Sequence, residues 1–531
     1  MKIHLSQLNP VVGDLIYNKT LILSEAKKAC INDAKILVTP ELGLTGYPPE
    51  DLLLDSEFID SCKNCIIEIA KKYPQLMIVV GYPRNHEGSL YNAASVLHNG
   101  EIAYTYHKNY LPNYGVFDEK RYFTEGREST FFECEGKRVG IIICEDFWVD
   151  DPIERLIRLN VDVILCMNAS PFDLTKQQKR IENAKKIINK KKVLLVYLNA
   201  LGGQDDLLFD GGSFIYDGMN GLIKEFPQFK QISECIDLSN KNQSVLSINE
   251  DMDILLDGLI LSLHDYLKKN NISKVFLGLS GGIDSALVLY IASKAIDIKN
   301  IYAIMMPSKY TSKASLEDAE ELAKSLGVHY KTRSIDGIFH TLKKSFDNDF
   351  KGMPEDIAEE NFQARIRGIT LMGFANKFKG MVLATSNKSE LAVGYSTIYG
   401  DMVGGFCVLK DVPKTLVYKL AKYINKKETI IPNRIITREP TAELKFNQTD
   451  QDNLPSYDIL DSIINLYIEQ KISPKAIARK GFDSQVVKKV VELIHGSEFK
   501  RRQSAPGPKI TSKAFSVDRR YPITNRYKPK I

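Results

Sequence analysis

Lys274-Val-Phe-Leu-Gly278-Leu279-Ser280-Gly281-Gly282-Ile283-Asp284-Ser285 passes from a short apolar run, through two adjacent glycines, into the helical pattern Ala286-Leu-Val-Leu-Tyr-Ile-Ala-Ser293. A strand, a tight turn and a helix start in that order make an anion site. Glycines let backbone N–H groups approach a phosphate, and a helix N-terminus favours negative charge beside it. Asp284 is placed to hold a metal ion against the phosphates, and Ser280 and Ser285 add hydroxyl donors. The lysine of the G-x-x-x-x-G-K-[ST] loop is missing, so this is a phosphate loop of another kind.

A chain of 531 residues exceeds the usual size of a single core, so two or more domains are expected. Hydrophobic content of 44% with 26% charged residues is that of an ordinary globular protein. No apolar run reaches the ~18 residues of a membrane span, and no membrane partner is expected. The start, Met1-Lys-Ile-His-Leu-Ser-Gln-Leu8, alternates like a strand and does not read as a signal peptide. Eight scattered cysteines without a disulfide framework point to a reducing, cytoplasmic setting. Cys62 and Cys65 form a C-x-x-C inside a helical pattern with no second pair, which reads as coincidence, and no H-E-x-x-H occurs. A net charge of +5, from 71 basic and 66 acidic residues, is too small to imply nucleic acid.

Outward from the loop, the chain divides into two α/β series with a boundary expected at 245/246. In residues 1–245 the strand candidates are Ile36–Thr39, Met77–Gly81, Arg138–Ile143, Val163–Cys166 and Val193–Leu198. Their nearly continuous apolar character predicts burial on both faces, with helices between them. The polar stretch Leu238–Ser244 reads as a linker, and Asp253–Leu263 as the helix that opens residues 246–531.

The first half carries a nucleophile constellation. Ile141-Ile-Ile-Cys144-Glu-Asp-Phe-Trp148 puts a cysteine where a buried strand ends, Thr39-Pro-Glu41 puts a glutamate just past another, and His107-Lys108 and Glu119 lie between. A thiol is mostly protonated at neutral pH, so a nearby carboxylate must take its proton. The order Glu, Lys, Cys with these surroundings resembles the nitrilase (carbon–nitrogen hydrolase) superfamily over essentially the whole first half. That resemblance implies a four-layer α-β-β-α sandwich. It gives Glu41 as general base and Lys108 as oxyanion partner together with the backbone N–H of Glu145. It also gives Cys144 as the thioester-forming nucleophile and Glu119 as a second glutamate that orients lysine or substrate. Tyr114, Ser170 and Lys176 follow as contacts of the amide substrate, glutamine.

In the second half, Ile301–Met306 reads as a strand, and Thr311-Ser-Lys-Ala-Ser as the start of an amphipathic helix. The glycine loop resembles those of ATP pyrophosphatases. Further stretches match the NAD synthetase family in order: Glu360-Asn361-Phe-Gln-Ala-Arg365, Thr385-Ser-Asn-Lys-Ser-Glu390, Gly400-Asp401, Leu409 to Thr415, Pro440-Thr441-Ala-Glu-Leu444 and Ser497-Glu-Phe-Lys500-Arg-Arg502. The resemblance implies a Rossmann-like parallel α/β domain in which residues 278–285 and Thr385 bind ATP. Asn361, Glu390 and Lys500 would contact deamido-NAD, and Asp284 and Glu390 would hold Mg²⁺. Phe499 stands where many members have tyrosine.

Together the halves resemble the glutamine-dependent NAD synthetases. The implied reaction activates the nicotinate carboxylate of deamido-NAD as an acyl-adenylate and amidates it with ammonia from glutamine. An enclosed ammonia path and a homo-oligomer, a dimer or higher, are also implied. A tRNA-modifying enzyme shares the loop but would need a large basic surface and further cysteines. Ala505–Lys509 reads as a mobile loop, and the basic end as an arm docking on a neighbouring surface.

Overall fold

Inward and outward residues alternate along the strands of the first unit, Met1–Ile254, and that alternation builds its layers. The computed structural model describes residues 1–240, 250–446, 448–516 and 518–529. The expected 245/246 boundary and the later part of the expected linker lie outside these residues.

One six-stranded sheet runs, in spatial order, Ser233–Asp237, Lys2–Ser6, Ile36–Val38, Met77–His86, Ser89–His98 and Glu101–His107. A second runs Gly221–Glu225, Phe214–Asp217, Leu194–Asn199, Val163–Asn168, Lys137–Ile143 and Thr130–Cys134. In each sheet two adjacent inner pairings are parallel and the other three are antiparallel. The sequence signalled the buried parallel strands. It did not signal the hairpin Ser89–His98 with Glu101–His107, whose outer positions are polar or tyrosine and break the apolar run.

Ile3, Leu5, Val38 and Val79 of the first sheet meet Ile141, Ile143, Leu165 and Val196 of the second in one buried cluster. Their neighbours Leu37, Ile78 and Val80 face the helices Leu15–Ile31 and Ser56–Lys72. Ile142, Ile164, Cys166 and Tyr197 face Asp150–Arg158 and Lys176–Ile188. The result is the α-β-β-α sandwich. Cys62 and Cys65 are buried and free among Ile66, Ile69 and Ala70, which is a packing role.

The second unit, Leu255–Ile531, is built on five parallel strands in the order His329–Thr332, Ile301–Met305, Val275–Gly278, Met381–Ala384 and Phe406–Cys407. The order reverses between Val275–Gly278 and Met381–Ala384, and a parallel sheet opens a ligand crevice at the carboxyl ends of such a pair. The helix Ile283–Ala295 starts there, buried along most of its length. Helices Tyr457–Ile464, Pro474–Arg479 and Ser484–Gly496 add a separate apolar cluster.

The stretch Ala505–Lys509 departs from its sequence reading as a loose loop. Pro506 accepts the Cys407 N–H at 2.8 Å, and the Lys509 ammonium donates to the carbonyls of Thr511 and Ser512 and to Asp518. Nearby, the fully buried Lys388 pairs with Asp411 at 3.0 Å and Glu469 at 2.9 Å, and Asp411 accepts the N–H groups of Ile510 and Thr511. Such buried charge needs partners, and the last segment of the chain supplies them. The following arm docks on its own unit, where Arg519 pairs with Glu498 and the Tyr521 hydroxyl meets His495.

Candidate active sites

Lys108 directly follows the strand Glu101–His107, and its side chain is wholly buried. Its Nζ lies 2.7 Å from Glu41 Oε1, and 2.8 and 2.9 Å from the two oxygens of Glu119. One ammonium therefore serves two buried carboxylates. Burial by itself would lower the lysine, but Glu119 and Glu41 outweigh it and hold it well above its ordinary range. Burial, the dominant cause, and the neighbouring Glu41 push Glu119 up to about 7 against the pull of Lys108. Glu41 also accepts Asn92 Nδ2 at 2.9 Å on Oε1 and the Ala169 N–H at 2.9 Å on Oε2. Tyr47 donates to Glu119 at 2.8 Å.

Cys144 closes the strand Lys137–Ile143 and opens the short turn Cys144–Trp148 with φ of +46°. For a residue with a Cβ that is a strained backbone, of the sort stored at reactive sites. Asp146 holds the turn. Its carboxylate accepts the N–H groups of Ile143, Asn109 and Tyr110 at 3.0, 3.1 and 2.9 Å, and the Tyr106 hydroxyl at 2.8 Å. The segment that follows Lys108 is thereby tied to the turn that carries Cys144. Burial, reinforced by Glu41, pushes the Cys144 thiol well above its ordinary range, with Lys108 opposing. A neutral thiol beside a fixed carboxylate and a fixed ammonium can form a thioester by losing its proton as it attacks.

Tyr114 and Lys176 stand beside the same turn. The exposed Tyr114 donates to Glu145 at 2.9 Å, and Lys176 Nζ sits 4.5 Å over the Trp148 ring. Ser170 is buried, and its carbonyl accepts from Arg180 at 2.8 Å. Arg180 in turn bonds both oxygens of the buried Asp210, at 3.0 and 2.9 Å.

In the second unit, a cavity of about 270 Å³ opens at the carboxyl ends of the central strands. Gly278, Leu279, Ser280, Gly282, Ile283, Asp284, Ser285, Thr385 and Glu390 line it. Gly281 does not, because its φ of +78° turns it against Ser315, and a Cβ there would meet the Ser315 carbonyl oxygen at 2.4 Å. Asn361 and Lys500 stand beside the rim. Asn361 accepts from Thr397, a lining residue, at 2.7 Å, and Lys500 donates to the carbonyls of Gly394 and Ser396 at 2.8 and 2.9 Å.

Sequence reading assigns no role to Lys414, which the fold places between Asp284 and Glu390, bonded to both. Asn387 adds a donor to Asp284 at 2.9 Å. Burial pushes Glu390 up to about 8, helped by Asp284 and opposed by Lys414. Asp284 and Lys414 are 130 positions apart, and no local pattern announces their meeting. Asn92, Asp146 and Arg180 escaped sequence reading for the same reason. Among the described residues no group of three or more His, Cys, Asp and Glu is arranged to cage a metal, so any cation here would rest on two carboxylates.

Residues 2–239 match the carbon–nitrogen hydrolase family and residues 255–504 the NAD synthase family. The chain is 44% identical to the glutamine-dependent NAD(+) synthetase of Acinetobacter baylyi, across 99% of both proteins. It is 40% identical to that of Aquifex aeolicus, across 99% of this chain and 100% of the relative. The glutamine-dependent NAD(+) synthetase of Acinetobacter baumannii, solved with ADP, superposes with a TM-score of 0.81 at 41% identity, covering 98% of each chain. The one from Cytophaga hutchinsonii, 22% identical, shares the fold with a TM-score of 0.86 over 99% of this chain and 98% of its own.

Proposed function

This chain belongs to the glutamine-dependent NAD(+) synthetases, and on that premise we propose how its two sites divide the reaction. The enzyme amidates deamido-NAD to NAD at the expense of ATP, with nitrogen from glutamine. In the first unit, Cys144 attacks the glutamine carboxamide while Glu41 takes the thiol proton. Lys108 and the Glu145 N–H receive the oxyanion. Glu41 returns the proton to the departing ammonia, and water then releases glutamate from the thioester. Glu119 shares Lys108 with Glu41 and so keeps the ammonium in place. Tyr114, Ser170 and Lys176 hold the amino-acid end of glutamine.

In the second unit, the loop 278–285 and Thr385 take ATP, while Asn361, Glu390 and Lys500 position deamido-NAD. The nicotinate carboxylate displaces pyrophosphate from the α-phosphorus, and ammonia then displaces AMP from the acyl-adenylate. Catalysis in this half is positioning and charge stabilisation. The donor set fits Mg²⁺: Asp284 and Glu390 converge with only the Lys414 charge between them, and Mg²⁺ commonly takes two carboxylates plus substrate phosphates. Bound there, the ion would neutralise phosphate charge. Ammonia released inside an enclosed path escapes protonation, and a cytoplasmic homodimer or larger assembly completes the reading.

The observation that carries the proposal is the Glu41–Lys108–Glu119 knot at the strained Cys144 turn, in a chain whose other unit pairs Asp284 with Glu390 at a phosphate loop. The test is NAD formation from deamido-NAD, ATP and Mg²⁺ with glutamine or ammonium, for wild type and Cys144→Ala. The variant is expected to lose only the glutamine-driven reaction. NAD from neither source in the wild type would overturn the assignment of acceptor.

A further inference from the structure

We propose that Asn92 is a positioning residue of the glutaminase site, holding the Glu41 carboxylate in line for the Cys144 proton; this rests on the glutaminase reading above. Asn92 lies in the strand Ser89–His98, is 1% exposed, and touches the site twice. Its backbone carbonyl accepts the Lys108 N–H at 2.9 Å, and its Nδ2 donates to Glu41 at 2.9 Å and towards Glu119 at 3.5 Å. Glu41 takes the Lys108 ammonium on the same oxygen, so it is the N–H side of the amide that faces it.

That orientation has a cost. Asn92 Oδ1 is left buried without a hydrogen-bond partner. A fold selected for stability alone avoids an orphaned acceptor. An apolar side chain at position 92 would leave no orphan, and the two carboxylates would still share Lys108. What it would remove is the neutral donor on the Glu41 oxygen that also faces Lys108. Four charged or titratable groups surround that oxygen: Lys108, Glu119, Cys144 and, through Glu119, Tyr47. Glu145 contributes from the far side of Cys144. The side-chain hydrogen bonds to Glu41 come from Lys108 and Asn92, and Asn92 fixes the carboxylate without adding charge.

The experiment uses Asn92→Leu, close to the amide in shape and lacking both donor and acceptor. Glutamine-driven turnover is expected to fall about 100-fold with little change in KM for glutamine, while ammonium-driven NAD formation by the same protein stays at the wild-type rate. A second measurement follows alkylation of Cys144 by iodoacetamide across pH, with Cys144→Ala as the blank. Alkylation is expected to slow about tenfold across that range in Asn92→Leu, because the carboxylate that takes the thiol proton is no longer held in place. An unchanged alkylation rate, or unchanged glutamine turnover, would overturn the proposal even if the fold were perturbed. Failure of the glutaminase reading itself would show differently: the wild type would make no NAD from glutamine while still using ammonium.

Discussion

Arg180→Met removes the cation from a buried pair and should destabilise the first unit by about 3–5 kcal/mol, the usual cost of leaving one buried charge uncompensated. Both partners are 0% exposed, and the guanidinium bonds both oxygens of Asp210. Burial alone would lower the Arg180 proton affinity, yet Asp210 outweighs it and raises it. For a unit of this size that loss corresponds to a fall in Tm of about 6–20 °C. The assay is built into the sequence: Trp148 is the single tryptophan, and it lies in this unit against Phe147 and Lys176, so its fluorescence reports this unit. The double variant Arg180→Met/Asp210→Asn removes the orphaned charge as well and should recover at least about 2 kcal/mol of the loss. Because Arg180 also holds the Ser170 carbonyl, the single variant should raise KM for glutamine more than it lowers kcat. A single variant within about 1 kcal/mol of wild type, or a double variant no better than the single, would refute the reasoning.

Lys414→Met should cut NAD formation about 100-fold with either nitrogen source, while Cys144 alkylation stays normal, since only the Asp284–Glu390 pair loses its cation; retained ammonium-driven activity would count against the role. Gly281→Ala forces a Cβ to within 2.4 Å of the Ser315 carbonyl and a side chain onto a φ of +78°, so ATP binding measured by calorimetry should be lost while the fluorescence melt of Trp148 is unchanged. Glu25 is buried, which alone would raise it, but hydrogen bonds from His4, Lys28 and Ser233 bring its carboxyl down to about 2. With a folded value below the unfolded one, it contributes about 2–3 kcal/mol of stability above pH ~4.5 that is lost as pH falls toward 2. Glu25→Gln should therefore flatten the stability curve over that window, as read by denaturant melts at stepped pH.

The parts of this molecule legible in its sequence are those whose cause is local. Arg138–Ile143 and Val163–Cys166 announce buried parallel strands because both faces are apolar, and the glycine loop announces itself because the backbone geometry needs Gly281. Glu41 and Cys144 could be picked out because each follows the end of an apolar strand, and Lys108 through the family resemblance of the stretch around it. Ser89–His98 and Glu101–His107 were harder, since a hairpin at a sheet margin needs no continuous apolar face. Asn92, Arg180 and Lys414 look like any surface polar residue until the fold brings up partners 51, 30 and 130 positions away. Asp146 meets its partners the same way, across 37 positions to the Asn109 N–H.

The late-sequence segment that satisfies Lys388 and Asp411 has a consequence for the order in which the enzyme comes into being. The first unit closes its sheet when Ser233–Asp237 pairs with Lys2–Ser6, so everything the proposed glutamine chemistry draws on in this unit has been translated before half of the 531 residues are joined. The helix that carries Glu390 rests on residues 510–513, and Glu498 waits for Arg519. Domains that emerge first fold first. A nascent or prematurely terminated chain thus holds a finished glutamine-cleaving half with no acceptor to serve. Any restraint on wasteful glutamine loss that depends on the ligase half becomes available only once residues 510–519 have been made.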